Sequence, residues 1–237
     1  MSEPAKTGIF SASSPEPGPE SSPGPSPGPG FDAAFQARLH DLFLWRRDVR
    51  HFQTRPLEPG LVESLIREAG LAPSVGYSQP WRFVRVSKEE RRAAVRADFS
   101  QCNARALEDY EGEQARLYAS LKLSGLEAAP VQLAVFVDEG SKTGKGLGRK
   151  TMPETMAYSV VMAVHTLWLA GRARGLGLGW VSILNPDKIR DILEVPEDWS
   201  LVAYLCLGYP VEEHCEPELS RFGWEERSDE SLTITER

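Results

Sequence analysis

The stretch at residues 44–52 reads Leu44-Trp45-Arg46-Arg47-Asp48-Val49-Arg50-His51-Phe52 and holds three arginines and one aspartate within five residues. An arginine side chain presents a rigid fork of donors that fits phosphate oxygens or the carbonyl edge of a heteroaromatic ring, and it stays charged at any working pH. The stretch is therefore a candidate for binding such a ligand. On these residues alone the alternative stays open, namely a solvated helix end with weak surface ion pairs.

Apolar residues at helical spacing precede the arginines and predict a helix that runs into them: Phe31, Phe35, Leu39 and Leu42. In a helix, residues three and four apart are neighbours, so the three arginines would lie on adjacent faces. Asp48 lies between them in sequence. Coulomb attraction should keep its carboxyl group ionised unless a ligand or burial changes its surroundings.

The charge balance excludes one broad class of partner. The 237-residue chain has a formal net charge of -7 and a sequence pI of about 5.3, which argues against a nucleic-acid binder that relies on bulk positive charge. Any phosphate must therefore be met by local arginines. The longest mainly apolar run, residues 156–170, is too short to span a bilayer. The N-terminus lacks the charged and apolar regions of a signal peptide.

The cysteines indicate a reduced chain. Cys102, Cys206 and Cys215 form neither a C-x-x-C pair nor a metal-binding spacing. We therefore expect a cytoplasmic protein without a bound metal, and none of the three is an obvious nucleophile.

Composition divides the chain into a tail and one domain. Residues 1–30 contain eight prolines, five glycines and seven serines. Such a segment cannot bury enough apolar area to offset the entropy of ordering it, so we expect a disordered tail. Residues 31–237 show strands alternating with helices, which predicts a single domain of the α+β or α/β class.

Two apolar segments are expected at the centre of this domain. Residues 131–137 are rich in β-branched residues and nearly uncharged, which predicts a central strand. Residues 155–174 predict a long helix that is apolar on nearly every face and hence buried. His165, which lies within this helix, is interpreted as a hydrogen-bonded core residue rather than a catalyst.

Two turn-rich segments are candidates for contact with a planar ligand. The loop at residues 72–81, Ala-Pro-Ser-Val-Gly-Tyr-Ser-Gln-Pro-Trp, exposes backbone N–H groups and short polar side chains, although a tight connector is an equal alternative. Gly175, Gly177 and Gly179 end the preceding helix and could let a flat ring approach the backbone. Ser182, in the strand that follows, is either a partner of that ring or an ordinary strand serine.

Two glycine-rich segments fail the tests for nucleotide-binding motifs. At residues 140–148 the spacing before Lys145 is one residue short of a phosphate-binding P-loop, and no serine or threonine follows the lysine. Residues 175–179 follow a helix rather than opening one, so they are not a dinucleotide-binding fingerprint.

Four segments together resemble the FMN-dependent nitroreductase superfamily. They are Arg-Arg-Asp-Val-Arg at residues 46–50, the loop at residues 72–81, Gly-Arg-Lys-Thr-Met-Pro-Glu-Thr at residues 148–155, and Gly-Leu-Gly-Leu-Gly-Trp-Val-Ser-Ile at residues 175–183. The resemblance covers residues 36–227. It is strongest with the subgroup that fragments reduced flavin, because general nitroreductases usually carry serine at the position of Asp48.

The resemblance implies an α+β, nitroreductase-like fold. Its central mixed β-sheet would be flanked by helices in an intertwined homodimer with two flavin sites at the subunit interface. Reduced FMN would be both cofactor and substrate, dioxygen would be the oxidant, and a separate flavin reductase would supply the reduced FMN. The expected products are 5,6-dimethylbenzimidazole, the lower ligand of vitamin B12, and erythrose 4-phosphate, with one ribityl carbon becoming C2 of the benzimidazole.

The resemblance also implies roles for individual residues. Asp48 and Ser182 match the family's catalytic pair and would contact the flavin. The other flavin-binding residues would come from the arginine stretch, from a loop that matches the second subunit's flavin loop, and from two weaker positions: Arg46, Arg47, Val49 and Arg50; Pro73, Ser74, Gly76 and Gln79; Lys122 and Arg227.

The charge-rich helical segment at residues 88–127 allows two interpretations. From its residues alone, a peripheral hairpin is favoured over a mobile cover. The resemblance reverses that preference and implies a helical lid at about residues 99–127, with space for dioxygen but not for a nicotinamide.

Two other functions stay open at this point. One is an NAD(P)H-dependent nitroreductase that recycles its FMN. The other is a non-catalytic module that binds FMN without turnover.

Overall fold

The computed structural model describes residues 28–121, 124–228 and 232–237. Most of the predicted tail, residues 1–27, lies outside the described residues, as does Lys122. The strands are β1 (Trp81–Arg85), β2 (Val131–Asp138), β3 (Gly177–Val181) and β4 (Trp199–Gly208). The helices are α1 (Ala33–Trp45), α2 (Leu61–Ala69), α3 (Glu89–Glu108), α4 (Gly112–Ser120), α5 (Thr155–Arg172), α6 (Pro186–Leu193) and α7 (Glu218–Arg221). Short 3-10 helices span Val75–Tyr77 and Thr143–Gly146.

The four strands form one sheet in the order β1-β2-β4-β3. All of β2 except Asp138 is buried, and β2 pairs with strands on both sides, which confirms the predicted central strand. The pairing of β4 with β2 and β3 leaves β3 at one edge. That edge carries Asp48, through a bridge to Leu178, and it ends directly before Ser182.

The predicted α+β class is confirmed. The predicted sheet was mixed, with parallel and antiparallel strands, and the observed sheet differs from it in strand direction. Each of its three strand pairs is antiparallel. A parallel contact enters only through an isolated bridge between Asp48 and Leu178. The apolar run of β2 cannot reveal strand direction, since a strand buried on both faces has the same composition in either orientation.

Two apolar cores enclose the sheet. On one face α2 and α5 pack against alternate strand residues, and Val160, Val164 and Leu167 of α5 are fully buried there. On the other face α3 and α6 pack through Val95 and Ile189. Burying each aliphatic side chain of this size contributes about 1.5–3 kcal/mol, so α5 is a major support of the fold.

One face of α5 is nevertheless uncovered. Tyr158, Val161, Met162 and His165 are exposed at the spacing of one helix face, and Met162 is 45% accessible. The prediction that α5 is buried on nearly every side is wrong for this face, and so is the interpretation of His165 as a core residue. An apolar helix face has the same sequence pattern whether it packs inside the chain or lies on its surface.

Candidate active site

The arginine stretch is extended rather than helical. α1 ends at Trp45, and Arg46 has extended backbone angles (φ -73°, ψ 110°). The Val49 N–H then donates to the Leu178 carbonyl of β3 at 2.9 Å, beside the bridge formed by Asp48. The predicted helical phasing of the arginines is therefore wrong. An edge strand offers unpaired backbone groups, and these draw the chain out of the helix.

Gly177 and Gly179 make room for this contact. A Cβ atom on Gly177 would lie 2.7 Å from a methyl carbon of Val49, and one on Gly179 would overlap the Val49 carbonyl oxygen. Both positions are closer than van der Waals contact allows. The structure thus gives these glycines a different role from the predicted one, because what approaches their backbone is the chain's own Val49.

Asp48 and Ser182 lie beside the same short segment of the edge strand. The Trp180 N–H donates to Asp48 Oδ1 at 2.8 Å, so the carboxylate takes the acceptor position that a further strand would fill. Ser182 follows β3 directly, two residues after Trp180, and is exposed. Two side chains far apart in the chain, predicted as a catalytic pair, are in this way brought to one end of β3.

Burial raises the pKa of the Asp48 carboxyl above its ordinary value. This effect outweighs the Trp180 N–H and the charge of Arg50, both of which lower the pKa. The side chain is still 36% exposed, so solvent screens the shift, and a ligand that covered the carboxyl would raise the pKa further. A carboxyl group in this condition is suited to exchanging protons with a bound molecule.

Arg46, Arg47 and Arg227 supply positive charge to the site. The Arg46 guanidinium lies 5.1 Å from the centre of the Trp168 ring, whose Nε1 donates to the Arg47 carbonyl at 3.2 Å. Burial lowers the pKa of Arg47, and the charges of Arg46 and, to a smaller extent, Arg227 lower it too. Guanidinium groups that disfavour one another are stabilised by an anion between them, so these residues fit a phosphate group.

Arg50, by contrast, is already paired within the chain. Its Nε lies 3.2 Å from Asp48 Oδ2, and its Nη1 lies 3.4 Å from Glu218 Oε1. The Arg50 and Glu218 side chains are 10% and 12% exposed. This pairing orients the Asp48 carboxylate and offsets part of its charge.

Two contacts from the C-terminal segment were not predicted. Glu218 binds Arg50, and the Cys215 carbonyl oxygen accepts from Arg47 Nε at 2.8 Å. No pattern in the sequence singles out either residue, because both belong to a polar segment whose fold returns it to the arginines. Distance along the chain hides such contacts from any local analysis.

The loop predicted to serve the second subunit is a strained turn. The Gln79 N–H donates to Ser74 Oγ at 3.1 Å, which closes the loop. Gly76, Tyr77 and Gln79 all have positive φ angles, between 45° and 55°. For Tyr77 and Gln79 this left-handed backbone is unfavourable, and such strain concentrates at functional sites. Pro73 precedes the turn and is exposed.

This loop and the arginine stretch contact different ends of α5. The Val75 N–H donates to Ser159 Oγ at 3.0 Å near the start of α5, whereas Trp168 binds the Arg47 carbonyl near its end. At 1.5 Å per residue these anchors lie about 13 Å apart along the helix axis. Within one chain, the loop at residues 72–81 and the arginine stretch, both predicted to bind the flavin, are therefore anchored at separate places along α5.

The predicted lid is built from α3 and α4. The Tyr118 hydroxyl donates to Asn103 Oδ1 at 2.9 Å and joins the two helices. The Tyr110 ring stacks on Tyr118, with centroids 4.8 Å apart, and meets the Trp224 ring edge-on at 5.6 Å. The C-terminal segment thus holds these helices within the same chain.

The chain after α4 returns to the arginine stretch. A Cβ atom on Gly125 would overlap the Phe52 ring and lie 3.3 Å from the Arg50 carbonyl oxygen. One end of the predicted lid is therefore packed against the backbone of the site. Its movement as a lid stays a prediction.

The cleft beside the arginines is too small for a flavin. It is bordered by Arg47, Asp48, Arg50, Trp168 and Glu218 among others and has a volume of about 40 Å³, which leaves room for only a few water molecules. Ligand pockets usually measure about 300–1,000 Å³. In one chain this edge of β3 therefore borders a shallow cleft rather than an enclosed ligand pocket.

Potential metal ligands and thiols are the other groups that could carry chemistry. Among the described residues, no group of three or more His, Cys, Asp or Glu side chains is placed to hold a metal ion. The three cysteines are free thiols, and burial raises the pKa of Cys206 to about 12, so this thiol stays protonated. None of the helices in the described ranges combines the length and apolar character of a bilayer crossing.

Comparison with known proteins defines the class of this chain. A model of the nitroreductase family matches residues 43–209, a span that contains all four strands, Asp48 and Ser182. The chain belongs to the nitroreductase family.

Two relatives narrow the class further. The chain is 58% identical over 199 residues to the 5,6-dimethylbenzimidazole synthase of Rhodospirillum rubrum, a match that covers 83% of this chain and 93% of the relative. It is 46% identical over 196 residues to the 5,6-dimethylbenzimidazole synthase of Rhodobacter capsulatus, covering 83% and 95%. The chain is thus an enzyme of this family, and the predicted resemblance to its 5,6-dimethylbenzimidazole synthases is confirmed.

Solved structures share the fold. A BluB-like flavoprotein from Clostridium difficile 630 superposes with a TM-score of 0.63 at 19% identity, covering 84% of this chain and 99% of that one. Iodotyrosine deiodinase bound to FMN and 3-iodo-L-tyrosine gives 0.62 at 24% identity, covering 74% and 91%. At these identities the likeness concerns the fold, and the predicted nitroreductase-like fold is confirmed.

Proposed function

We propose that the chain fragments reduced FMN with dioxygen to 5,6-dimethylbenzimidazole and erythrose 4-phosphate. The observation that carries this proposal is the Asp48 carboxyl group, which has a raised pKa and is fixed by Trp180 beside the segment that bears Ser182. The 58% identity to a 5,6-dimethylbenzimidazole synthase supports the same reaction. General nitroreductases, which usually carry serine in place of this aspartate, lack the carboxyl group.

Each polar group then has a defined task. Arg46, Arg47 and Arg227 bind the flavin phosphate, since their charges converge and are only partly offset. The Asp48 carboxyl group, oriented by Trp180 and Arg50, takes up and returns protons at the ring. The Ser182 hydroxyl can donate to and accept from the ring at the same edge. Reduced FMN supplies the electrons for dioxygen and the carbon skeleton of the product.

We also propose that the enzyme works as a homodimer. The exposed face of α5 carries Tyr158, Val161 and Met162, which are large apolar residues suited to burial against a second copy. The flavin loop and the arginine stretch contact opposite ends of α5. Pairing two chains through this face would let the loop of one chain reach the arginines of the other. This arrangement also accounts for the small cleft in a single chain.

The test is a single turnover of reduced FMN. The enzyme is mixed with chemically reduced FMN, exposed to air, and the products are separated and identified by mass spectrometry. We expect 5,6-dimethylbenzimidazole and erythrose 4-phosphate. Recovery of intact oxidised FMN as the sole product would contradict the proposal.

A second candidate is an NAD(P)H-dependent nitroreductase. The chain is 27% identical over 184 residues to an NADH dehydrogenase of Thermus thermophilus. This similarity is the observation that supports the second candidate. It predicts that NADH is oxidised in the presence of a nitroaromatic compound while the flavin survives many turnovers. Tight FMN binding without either activity would instead indicate a non-catalytic module.

A further inference from the structure

Asp98 is a buried acid that the proposed reaction does not use. It lies in α3 and is 1% exposed. Its Oδ2 accepts from the Asn185 N–H at 2.8 Å, and its Oδ1 lies 3.2 Å from Lys188 Nζ. The Cys102 thiol lies 3.9 Å from Oδ2. Both carboxylate oxygens are therefore committed to contacts with the segment that follows β3.

A buried carboxylate is costly unless it is paired and hydrogen-bonded, and well-packed apolar residues often replace such pairs without loss of stability. Stability is thus a weak reason for an acid at this place. What the carboxylate supplies is a fixed position for Asn185. The Asn185 side chain in turn accepts from the N–H groups of Asp187 and Lys188, at 3.1 Å each, and begins α6.

The segment fixed by Asp98 begins with Ser182. On one side, Val181 is held in the sheet by its pairing with Tyr204 of β4. On the other side, Asn185 is held by Asp98, and Leu184 between them is buried in the core shared by α3 and α6. Ser182 itself is exposed. The position of its hydroxyl is therefore set by two anchors, one in the sheet and one at Asp98.

We propose that Asp98 is a positioning residue for the reaction, which rests on the function proposed above. By holding Asn185 it fixes residues 182–185 and so places the Ser182 hydroxyl relative to the Asp48 carboxyl group. Asp98 also lies on α3, the helix that continues into the predicted lid. One carboxylate therefore links the lid to the loop that carries the serine.

The test compares Asp98→Asn and Asp98→Ala with a matched control, Val95→Ala. Asp98→Ala removes both contacts, whereas the amide oxygen of Asp98→Asn can still accept from the Asn185 N–H while the contact with Lys188 is lost. Val95 lies one turn earlier on the same helix, is fully buried and belongs to the core shared with α6. For each variant we measure the melting temperature, the FMN dissociation constant and the fraction of reduced FMN converted to 5,6-dimethylbenzimidazole rather than to oxidised FMN.

In Asp98→Ala we expect the converted fraction to fall by about tenfold or more, because small displacements of a catalytic group are costly. Asp98→Asn, which can keep the Asn185 contact, should retain more of the conversion than Asp98→Ala. FMN binding should stay within about twofold, since the arginines are untouched. Val95→Ala should lower the melting temperature and keep the wild-type fraction. Wild-type conversion in Asp98→Ala would overturn the proposal. An equal loss of conversion in Val95→Ala would also overturn it, because general destabilisation of the chain would then explain the effect.

Failure of the proposed function would be visible in the wild type, which would then form no product. The position of residues 182–185 is measured independently by hydrogen exchange of their backbone amides. Exchange should accelerate in Asp98→Ala and stay slow in Val95→Ala. Unchanged exchange in Asp98→Ala would reject the positioning role even if the reaction itself were confirmed.

Discussion

At the scale of single residues, the Asp48 carboxyl group is subject to two opposing effects. Its hydrogen-bond and ion-pair partners favour the charged form, whereas its burial favours the neutral form. The Trp180 N–H and Arg50 fix the carboxylate, while burial raises its pKa. The side chain also keeps 36% of its surface accessible. Orientation by fixed donors, a raised pKa and access from outside are together what a proton-exchanging group requires.

The raised pKa predicts a pH-dependent effect of Asp48→Asn on stability. Because folding raises the pKa of this carboxyl group, its stabilising contribution is complete below the unfolded pKa of about 4 and is lost as the pH rises through the folded value. Asparagine carries no charge to bury and can still accept from Trp180. Thermal denaturation from about pH 4 to about pH 8 should therefore show the variant more stable than wild type at the high end, with the difference shrinking towards pH 4. A variant less stable than wild type at the high end would mean that the pairing with Arg50 dominates.

The same substitution should separate binding from chemistry. Asp48→Asn is expected to keep FMN binding, because the arginines remain, and to lower product formation by about a hundredfold or more, since general acid-base groups contribute on this scale. Fluorescence titration of FMN and product analysis after one turnover measure the two effects. Asp41→Asn, an exposed acid on α1, serves as the control. If Asp48→Asn formed product at the wild-type rate, Asp48 would have no part in the mechanism.

At the scale of elements, the site depends on the contact between the arginine stretch and the edge of β3. Val49 fills the space above Gly177 and Gly179, and its N–H binds Leu178. This contact turns a sequence that continues a helical pattern into an extended segment. Tertiary pairing therefore overrides the local preference.

Gly179→Ala should destabilise the chain by about 2–4 kcal/mol, the range of severe overpacking, because the new methyl group would overlap the Val49 carbonyl oxygen. Gly60→Ala is the control, since Gly60 has a positive φ angle but no atom within 4 Å of the added carbon. Backbone strain alone should cost about 1 kcal/mol there. Urea denaturation measures both variants. Equal losses would show that the Val49 contact is not tightly packed.

The contact of Trp224 with Tyr110 and Tyr118 should hold α3 and α4 in place. Trp224→Ala removes the ring that packs against Tyr110 and Tyr118, so amide exchange in α4 should accelerate, and more of the reduced FMN should reoxidise intact. Trp224→Phe, which keeps an aromatic ring, is the control. Unchanged exchange and conversion in Trp224→Ala would leave these helices without a role as a lid.

Sequence patterns predicted where helices and strands form better than they predicted which of these elements pack or pair together. The helix predicted at residues 155–174 forms as α5, because apolar spacing along one segment is a local property. The central strand was found by its composition. Two features could not be predicted from local patterns. The extended conformation of residues 46–50 depends on Leu178, more than a hundred residues away, and the antiparallel pairing joins strands that are separated along the chain.

At the scale of the whole molecule, residues predicted to bind one flavin are divided between the two ends of α5. The exposed face of that helix offers a way to combine them across two copies. The resemblance to a family pointed to the pair Asp48 and Ser182 before any geometry was known. It could not point to Glu218 or Asp98, whose contacts arise only from the way this chain folds.

Met162→Glu should weaken the proposed homodimer and its FMN binding together. Met162 is exposed in the middle of the apolar face, and a buried unpaired charge at an interface is strongly unfavourable. Light scattering after size-exclusion chromatography and FMN titration measure the two effects. Leu71→Glu is the control, because Leu71 is an exposed apolar residue outside this helix. A monomeric Met162→Glu variant with wild-type FMN affinity would contradict the shared site.

The most direct measurement of the proposed reaction follows the ribityl carbons through one turnover. Reduced FMN labelled with carbon-13 in all five ribityl carbons is mixed with the enzyme in air, and the products are analysed by mass spectrometry. The proposed fragmentation predicts 5,6-dimethylbenzimidazole with one labelled carbon and erythrose 4-phosphate with four. Recovery of all five labelled carbons in intact oxidised FMN, with no labelled benzimidazole, would contradict it.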